Sequence, residues 1–342
     1  MKSPIQGLCD ACAAVGLTRE DFENPPFLPE EKYHQVVRSG TLNDLRLNET
    51  NCGLCKLLLY ALSRTSGSQL QVLEDSDAVW EAEWMQNTWE YDSITDNSDD
   101  LFGSAIYPKL KGDGQMSYGV QLLDEAMVDR PLRARVVPSQ MDTAKMKTWI
   151  QKCQAEHGDS CSDSYLTMGS HPSALLGFMV INVVTKCLTE PPPQAKYVAL
   201  SYVWGSTNFP LTTKSNLEDF RKEGAFDRVK LAKTIRHAIE VTACLGFDFL
   251  WVDALCIVQD DERYKPQLIA NMDAVYGNAA LTILAASGGH ADAGLSGWAS
   301  DGIPDRENAI LDVRIAPDLH LTVRPLFDIE LMDASHSKRG WT

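Results

Sequence analysis

The sequence predicts an α/β protein: an open, mainly parallel sheet with helices on both faces, preceded by a mainly helical N-terminal extension. Three observations predict it. Residues 197–286 alternate strand, helix, strand, helix, strand, an order that right-handed crossovers turn into a parallel sheet. Residues 1–66 carry apolar side chains at roughly helical spacing. Hydrophobic residues make up 44% of the 342, enough to bury the core of one large domain or two ordinary ones.

In chain order, residues 33–47 place Val36, Val37, Leu42 and Leu45 at imperfect helical spacing, and Leu54, Leu57, Leu58 and Ala61 come next with a cleaner 3.6 period. Trp80 and Trp84 are four apart, so one helix face can hold both, with Trp89 beyond them. Residues 92–100 are polar and read as a loop. Residues 105–120 read as a hairpin turning at Lys111-Gly112-Asp113-Gly114. Residues 141–161 read as a helix. Residues 178–188, rich in Val and Ile, read as a strand, and Pro191-Pro192-Pro193 breaks it.

The apolar run 197–202 is the next strand. A helix over 229–245 puts Leu231, Ile235, Ala238, Ile239, Thr242 and Leu245 on one face, with Gly246 as its stop. Residues 247–253 form an aromatic strand ending in Asp253. Leu268, Ile269, Met272, Val275 and Tyr276 mark one further helix, residues 279–286 a further strand and residues 311–323 a hairpin. The chain thus divides into two domains: 1–170, a cysteine-containing extension, helical with a hairpin, and 171–342, the α/β domain.

Composition removes several function classes. Lys plus Arg is 31 against 47 for Asp plus Glu, a net charge of −16. Such a surface repels phosphate backbones, so general nucleic-acid binding is not expected. No segment approaches the roughly 18 apolar residues of a membrane span. The longest candidate, 174–184, contains Asn182, and the N-terminus has no secretory apolar region, so a cytoplasmic protein is expected. The sequence has no G-x-S-x-G, H-E-x-x-H, P-loop or G-x-G-x-x-G motif.

Nine cysteines include two C-x-x-C pairs. Cys9, Cys12, Cys52 and Cys55 have the spacing within each pair that one tetrahedral structural zinc site uses. His34 is an alternative ligand, and reduced thiols in helix contacts are the competing reading. Cys153, His157 and Cys161 recur every four residues on one helix face, where packing competes with metal binding.

In an open parallel sheet, ligands bind beyond the carboxyl ends of the strands. Ser201, Trp204 and Gly205 lie at the end of the first strand, Asp253, Cys256, Gln259 and Asp260 at the end of the second, and Ser287, Gly288 and Gly289 at the end of the third. Trp204 can stack on a nucleotide ring or wall off the core. Gly205 lets backbone approach a ligand. Asp253 or Asp260 can accept from a ribose hydroxyl, and Asp253 is equally placed to cap a helix. Gln259 completes this candidate cofactor set. Cys256, in an apolar run, suits a buried small hydrophobe better than a nucleophile.

Three blocks together resemble the fungal heterokaryon incompatibility (HET) domain family. The first is Tyr197-Val198-Ala199-Leu200-Ser201-Tyr202-Val203-Trp204-Gly205. The second is Leu231-Ala232-Lys233-Thr234-Ile235 with Leu245-Gly246-Phe247-Asp248-Phe249-Leu250-Trp251-Val252-Asp253, running on through Asp261. The third opens with Arg339-Gly340-Trp341-Thr342. Ala232 stands where the family usually has Pro, and His237 where it usually has Asp.

The resemblance implies a flavodoxin/TIR-like core and a role in non-self recognition and regulated cell death. The implied partners are other HET or NLR-type recognition proteins, or further copies of the chain. Through the TIR likeness it also implies NAD or a related nucleotide as ligand. The family's third motif continues past the Trp to a Gln-Glu pair and this sequence stops first, so the domain is expected to be truncated. NAD hydrolysis would then belong to a C-terminally complete form, a degenerate nucleotide-binding protein lacking the catalytic glutamate is the other reading, and no catalytic residue is assigned.

Overall fold

The computed structural model describes residues 5–23, 35–65, 77–86, 104–111, 118–123, 140–156, 173, 175–286, 288–298 and 311–325. Trp89, the 92–100 loop, the 112–117 turn, His34, His157, Cys161, Ser287 and the Arg339–Thr342 motif lie outside these residues. The helices are α1 (Asp10–Ala13), α2 (Arg19–Glu23), α3 (Leu42–Asn48), α4 (Gly53–Thr65), α5 (Thr143–Glu156), α6 (Leu217–Phe220), α7 (Lys233–Leu245), α8 (Asp253–Cys256), α9 (Lys265–Ala270) and α10 (Met272–Gly277). The strands are β1 (Gln35–Thr41), β2 (Val79–Gln86), β3 (Ser104–Leu110), β4 (Tyr118–Leu122), β5 (Val180–Asn182), β6 (Cys187–Thr189), β7 (Val198–Ser201), β8 (Phe249–Trp251), β9 (Leu281–Leu284), β10 (Asp312–Ala316) and β11 (Leu319–Pro325). They fall into two compact units, Met1–Val137 with Asn308–Glu330, and Pro138–Glu307 with Leu331–Thr342.

The first unit corrects the expectation of a mainly helical N-terminal extension. Its centre is a six-stranded sheet in the order β1-β2-β3-β4-β11-β10, antiparallel throughout and curled into a half-barrel. Val36 and Val37 lie in β1, where β-branched side chains fit the pleat better than a helix. Trp80 and Trp84 lie in β2, opposite Gly40 and Gln35. A four-residue spacing keeps two side chains on one face of a strand just as it does on a helix, so the spacing alone could not separate the two. Within 35–48 helix begins only after Thr41, whose side chain accepts from the Asp44 amide while Asp44 accepts from the Thr41 amide, a capping box.

Helix α4 packs against β3, β4, β10 and β11. It buries Leu54, Leu57, Leu58 and Leu62 with Trp80, Val120 and Leu321. The approach is close at Gly53, where a Cβ would lie 2.4 Å from Val313 Cγ1. The expected hairpins over 105–120 and 311–323 are present as β3–β4 and β10–β11, and β11 joins the second to the first.

The second unit holds a five-stranded sheet in the order β6-β5-β8-β7-β9. Strand β7 lies between β8 and β9 and is parallel to both, as the alternation over 197–286 predicts. The sheet as a whole is mixed rather than mainly parallel, because β5 is antiparallel to both β8 and β6. The expected single strand over 178–188 is in fact a hairpin. Asn182 Oδ1 accepts from the amides of Val184 and Thr185, and Lys186 adopts φ +54°, which reverses the chain.

Helix α7 buries Ile235, Ala238, Ile239, Thr242 and Leu245, the expected face, and ends on Gly246 at φ +90°. The helix expected across 268–276 is two short ones, α9 and α10, interrupted at Asn271. The core is threaded by aromatic contacts. Tyr197 donates to the Val275 carbonyl, Tyr276 to the Leu200 carbonyl at 3.2 Å, and Trp251 meets Tyr276 edge to face. Among the described residues, no helix is long and apolar enough to cross a membrane.

Candidate metal centre and sheet-end site

In the first unit the two C-x-x-C pairs meet. Cys9 immediately precedes α1 and Cys12 lies within it, while Cys52 precedes α4 and Cys55 lies in its first turn. Backbone bonds hold the segments in place: the Gly53 amide donates to Gly7 O at 3.0 Å and the Gln6 amide to Arg314 O at 2.8 Å. Cys55 Sγ lies 3.7 Å from Cys9 Sγ and 3.6 Å from Cys12 Sγ, and all four sulfurs fall within 4.8 Å of one another. Bonds of about 2.3 Å in a tetrahedron set sulfurs roughly 3.8 Å apart, so this set fits a single ion. Cys12, Cys52 and Cys55 are buried and Cys9 is half-buried, all as free thiols. Hydrogen bonds from Cys12 and Cys55 hold the Cys52 thiol far below its usual range, and donation to Cys52 holds Cys12 far above.

Spacing missed one member of this centre. Arg38 Nη1 donates to Cys12 Sγ and, at 3.2 Å, to Cys55 Sγ. Nothing in the local pattern around Arg38 points to the cysteines, because they stand at the starts of two helices distant in sequence and meet the strand only in the fold.

In the second unit the carboxyl ends of β7, β8 and β9 lie along one edge of the sheet, since the three are parallel. Ser201 ends β7, nearly buried, with its carbonyl accepting from the Ala285 amide at 2.9 Å. The Trp204 indole N–H donates to both carboxylate oxygens of Asp253, at 3.1 and 2.9 Å, and its ring meets Phe209 edge to face. Asp253 stands in the first turn of α8, where its Oδ1 also accepts from the Ala254 amide at 2.7 Å. Tyr202 is buried beside it. Burial first, and then the Asp253 carboxylate, push the Tyr202 hydroxyl well above the usual phenol range.

The other expected residues serve the backbone. Gly205 sits at φ +64°, and a Cβ there would lie 2.6 Å from His290 Cβ, so this glycine admits the 289–290 loop. Gln259 Nε2 donates to the carbonyls of Asp253 and Ile257 at 3.1 and 3.0 Å. Asp260 accepts from the Lys214 amide at 2.8 Å. Trp204 and Asp253 are therefore bonded to each other, Gln259 adjoins Asp253 through its backbone carbonyl, and Asp260 tethers the 213–214 loop. Cys256 is fully buried, and burial pushes its thiol up to about 12, as suits a packing residue. A cavity of about 730 Å³ lies away from these strand ends, against Phe247, Asp248 and Phe249 at the start of β8.

Residues 197–342 match the family model described as heterokaryon incompatibility protein (HET). No curated protein and no solved structure matches the chain. The matched span begins at the buried strand β7 and contains Trp204, α7, Asp253 and the third parallel strand. Residues 197–342 are therefore a HET domain, and that domain implicates the chain in heterokaryon incompatibility and non-self recognition.

Proposed function

We propose that this protein is a cytoplasmic signalling module of non-self recognition. Its assembly with other HET or NLR-type recognition proteins, or with copies of itself, triggers regulated cell death. The observation that carries this reading is the state of the sheet-end polar groups. Both Asp253 oxygens accept from Trp204, and the Gln259 amide and the Asp260 carboxylate are bound to backbone. Groups held in this way form a fixed polar surface at the strand ends, which suits recognition. The test is induced expression of the full chain in a fungal host, with viability and nicotinamide release from NAD followed together. Loss of viability without nicotinamide release supports the signalling reading, and unimpaired growth at high expression overturns it.

A second reading, binding or cleavage of NAD or a related nucleotide, draws on the three parallel strand ends that converge beside Trp204 and Asp253. Nicotinamide release in the same assay, lost in Asp253→Asn, would favour it.

In this reading the four-cysteine centre holds a structural zinc that ties α1 to α4. Its support is the mutual approach of four sulfurs from two separate C-x-x-C pairs. Metal analysis of the purified chain should return one zinc per molecule, and Cys12→Ser should abolish it.

A further inference from the structure

We propose that Arg38 is the positioning residue of the four-cysteine centre: it supplies the countercharge of the thiolates and shields the Cys12 and Cys55 sulfurs from electrophiles. The inference rests on the zinc reading above and adds to it a residue that no C-x-x-C spacing identifies.

Arg38 lies in strand β1. The register of that strand against β2 slips between Val36, opposite Glu83, and Arg38, opposite Ala82, so Val37 is an extra residue. A bulge of this kind resets the alternation of side chains and re-aims the next residue. The side chain it re-aims is Arg38. The guanidinium then lies over the Trp80 ring, 5.4 Å from its centre. Trp80 is fully buried, and its indole N–H is fixed on the Thr41 carbonyl at 2.9 Å, so the surface beneath the arginine is rigid. From there Nη1 reaches Cys12 Sγ and Cys55 Sγ.

What Arg38 does not do is as informative. It is half-buried, its Nε has no hydrogen-bond partner, and among the described residues no carboxylate pairs with it directly, the Asp44 carboxylate acting on it only from beyond pairing distance. A half-buried guanidinium needs a counterion. Neutral thiols are weak acceptors and cannot serve as one. Four thiolates around one divalent ion carry a net charge of about −2, and they can. The arginine is thus placed for an anionic centre. Donation from a cationic N–H draws electron density from the two sulfurs that receive it and makes them weaker nucleophiles, and Cys9 and Cys52 do not share that contact.

The test uses the full zinc-loaded chain beside Arg38→Met and Arg38→Lys. Zinc affinity is read by competition with a chromophoric chelator. Alkylation by iodoacetamide, in which a cysteine sulfur displaces iodide, is read residue by residue by mass spectrometry. Arg38→Met should still bind one zinc in excess metal, with affinity lower by about 10-fold. Its Cys12 and Cys55 should gain reactivity relative to Cys9 and Cys52, a pattern that general loosening would not produce. Arg38→Lys keeps the charge without the planar stack and should recover part of the affinity. It also serves as the deciding variant if Arg38→Met fails to fold. A zinc-loaded wild type whose variants show unchanged affinity and an unchanged alkylation pattern would overturn the role of Arg38 and leave the zinc reading standing. A wild type that takes up no zinc overturns both.

Discussion

Four cysteines in the first unit stand at the starts of a helix of four residues and one of thirteen, Cys9 and Cys52 just before them and Cys12 and Cys55 within them. Trp204 and Asp253 in the second unit stand just past buried strands whose neighbours pack a continuous core of Phe178, Tyr197, Leu200, Ile235, Leu250 and Trp251. A four-residue helix is far too short to persist by itself. Beyond the backbone bonds of Gln6 and Gly7, its position depends on what Cys9 and Cys12 bind. The sheet end needs no such attachment, because hydrophobic burial and the Trp204–Asp253 pair already fix it. The two candidate sites therefore respond to different insults: the first to loss of ligands or metal, the second to loss of packing.

The largest expected effect breaks the first site. A structural zinc contributes on the order of 10–16 kcal/mol in small peptides, against about 5–15 kcal/mol for the stability of a whole domain. Cys55→Ala should therefore abolish zinc binding and make the first unit sensitive to limited proteolysis, while peptides from 233–251 stay protected. Trp251→Ala, at the centre of the second core, should cost about 3–5 kcal/mol of that unit's stability in urea unfolding and leave zinc content unchanged.

A smaller effect separates the Trp204–Asp253 pair from the core around it. Trp204→Phe leaves the half-buried carboxylate without its indole donor and should cost about 1–3 kcal/mol. The mildest lever is alkaline pH. Burial raises the pKa of Tyr197 and Tyr202 in the folded chain. The unfolded chain ionises its tyrosines near pH ~10 while the folded chain keeps these two neutral. Their contribution to stability is then complete below pH ~10 and falls above it, by about 1.4 kcal/mol per tyrosine for each pH unit. Urea midpoints measured from pH 8 to 11 check the direction. Tyr197→Phe should halve the loss.

The region 197–286 was legible in sequence because each of its elements is local. The three strands are short apolar runs, Gly246 ends α7, and β7 needs only right-handed crossovers to be flanked by β8 and β9. The antiparallel hairpin β5–β6 escaped because its reversal depends on Asn182 and Lys186 rather than on a Gly or Pro signal. The first sheet escaped for a longer-range reason. Its six strands come from segments as distant as 35–41 and 312–325, and the pairing of β4 with β11 has no local signature. At the sites, the cysteine pairs were legible because metal ligation requires fixed spacing. Arg38 was not, because its direction is set by a bulge. Gly205, Gln259 and Asp260 were located, but their backbone duties depend on partners that no linear pattern displays.

Hydrogen exchange on the full chain, with and without a strong zinc chelator, probes the contrast between the two units in a single experiment. The amides of Asp10–Ala13 and Gly53–Thr65 should lose protection on chelation, whereas those of Lys233–Leu245 and Phe249–Trp251 should keep theirs. Unchanged protection in both units, or loss of protection in both together, would contradict a zinc-dependent first unit beside a second held by packing.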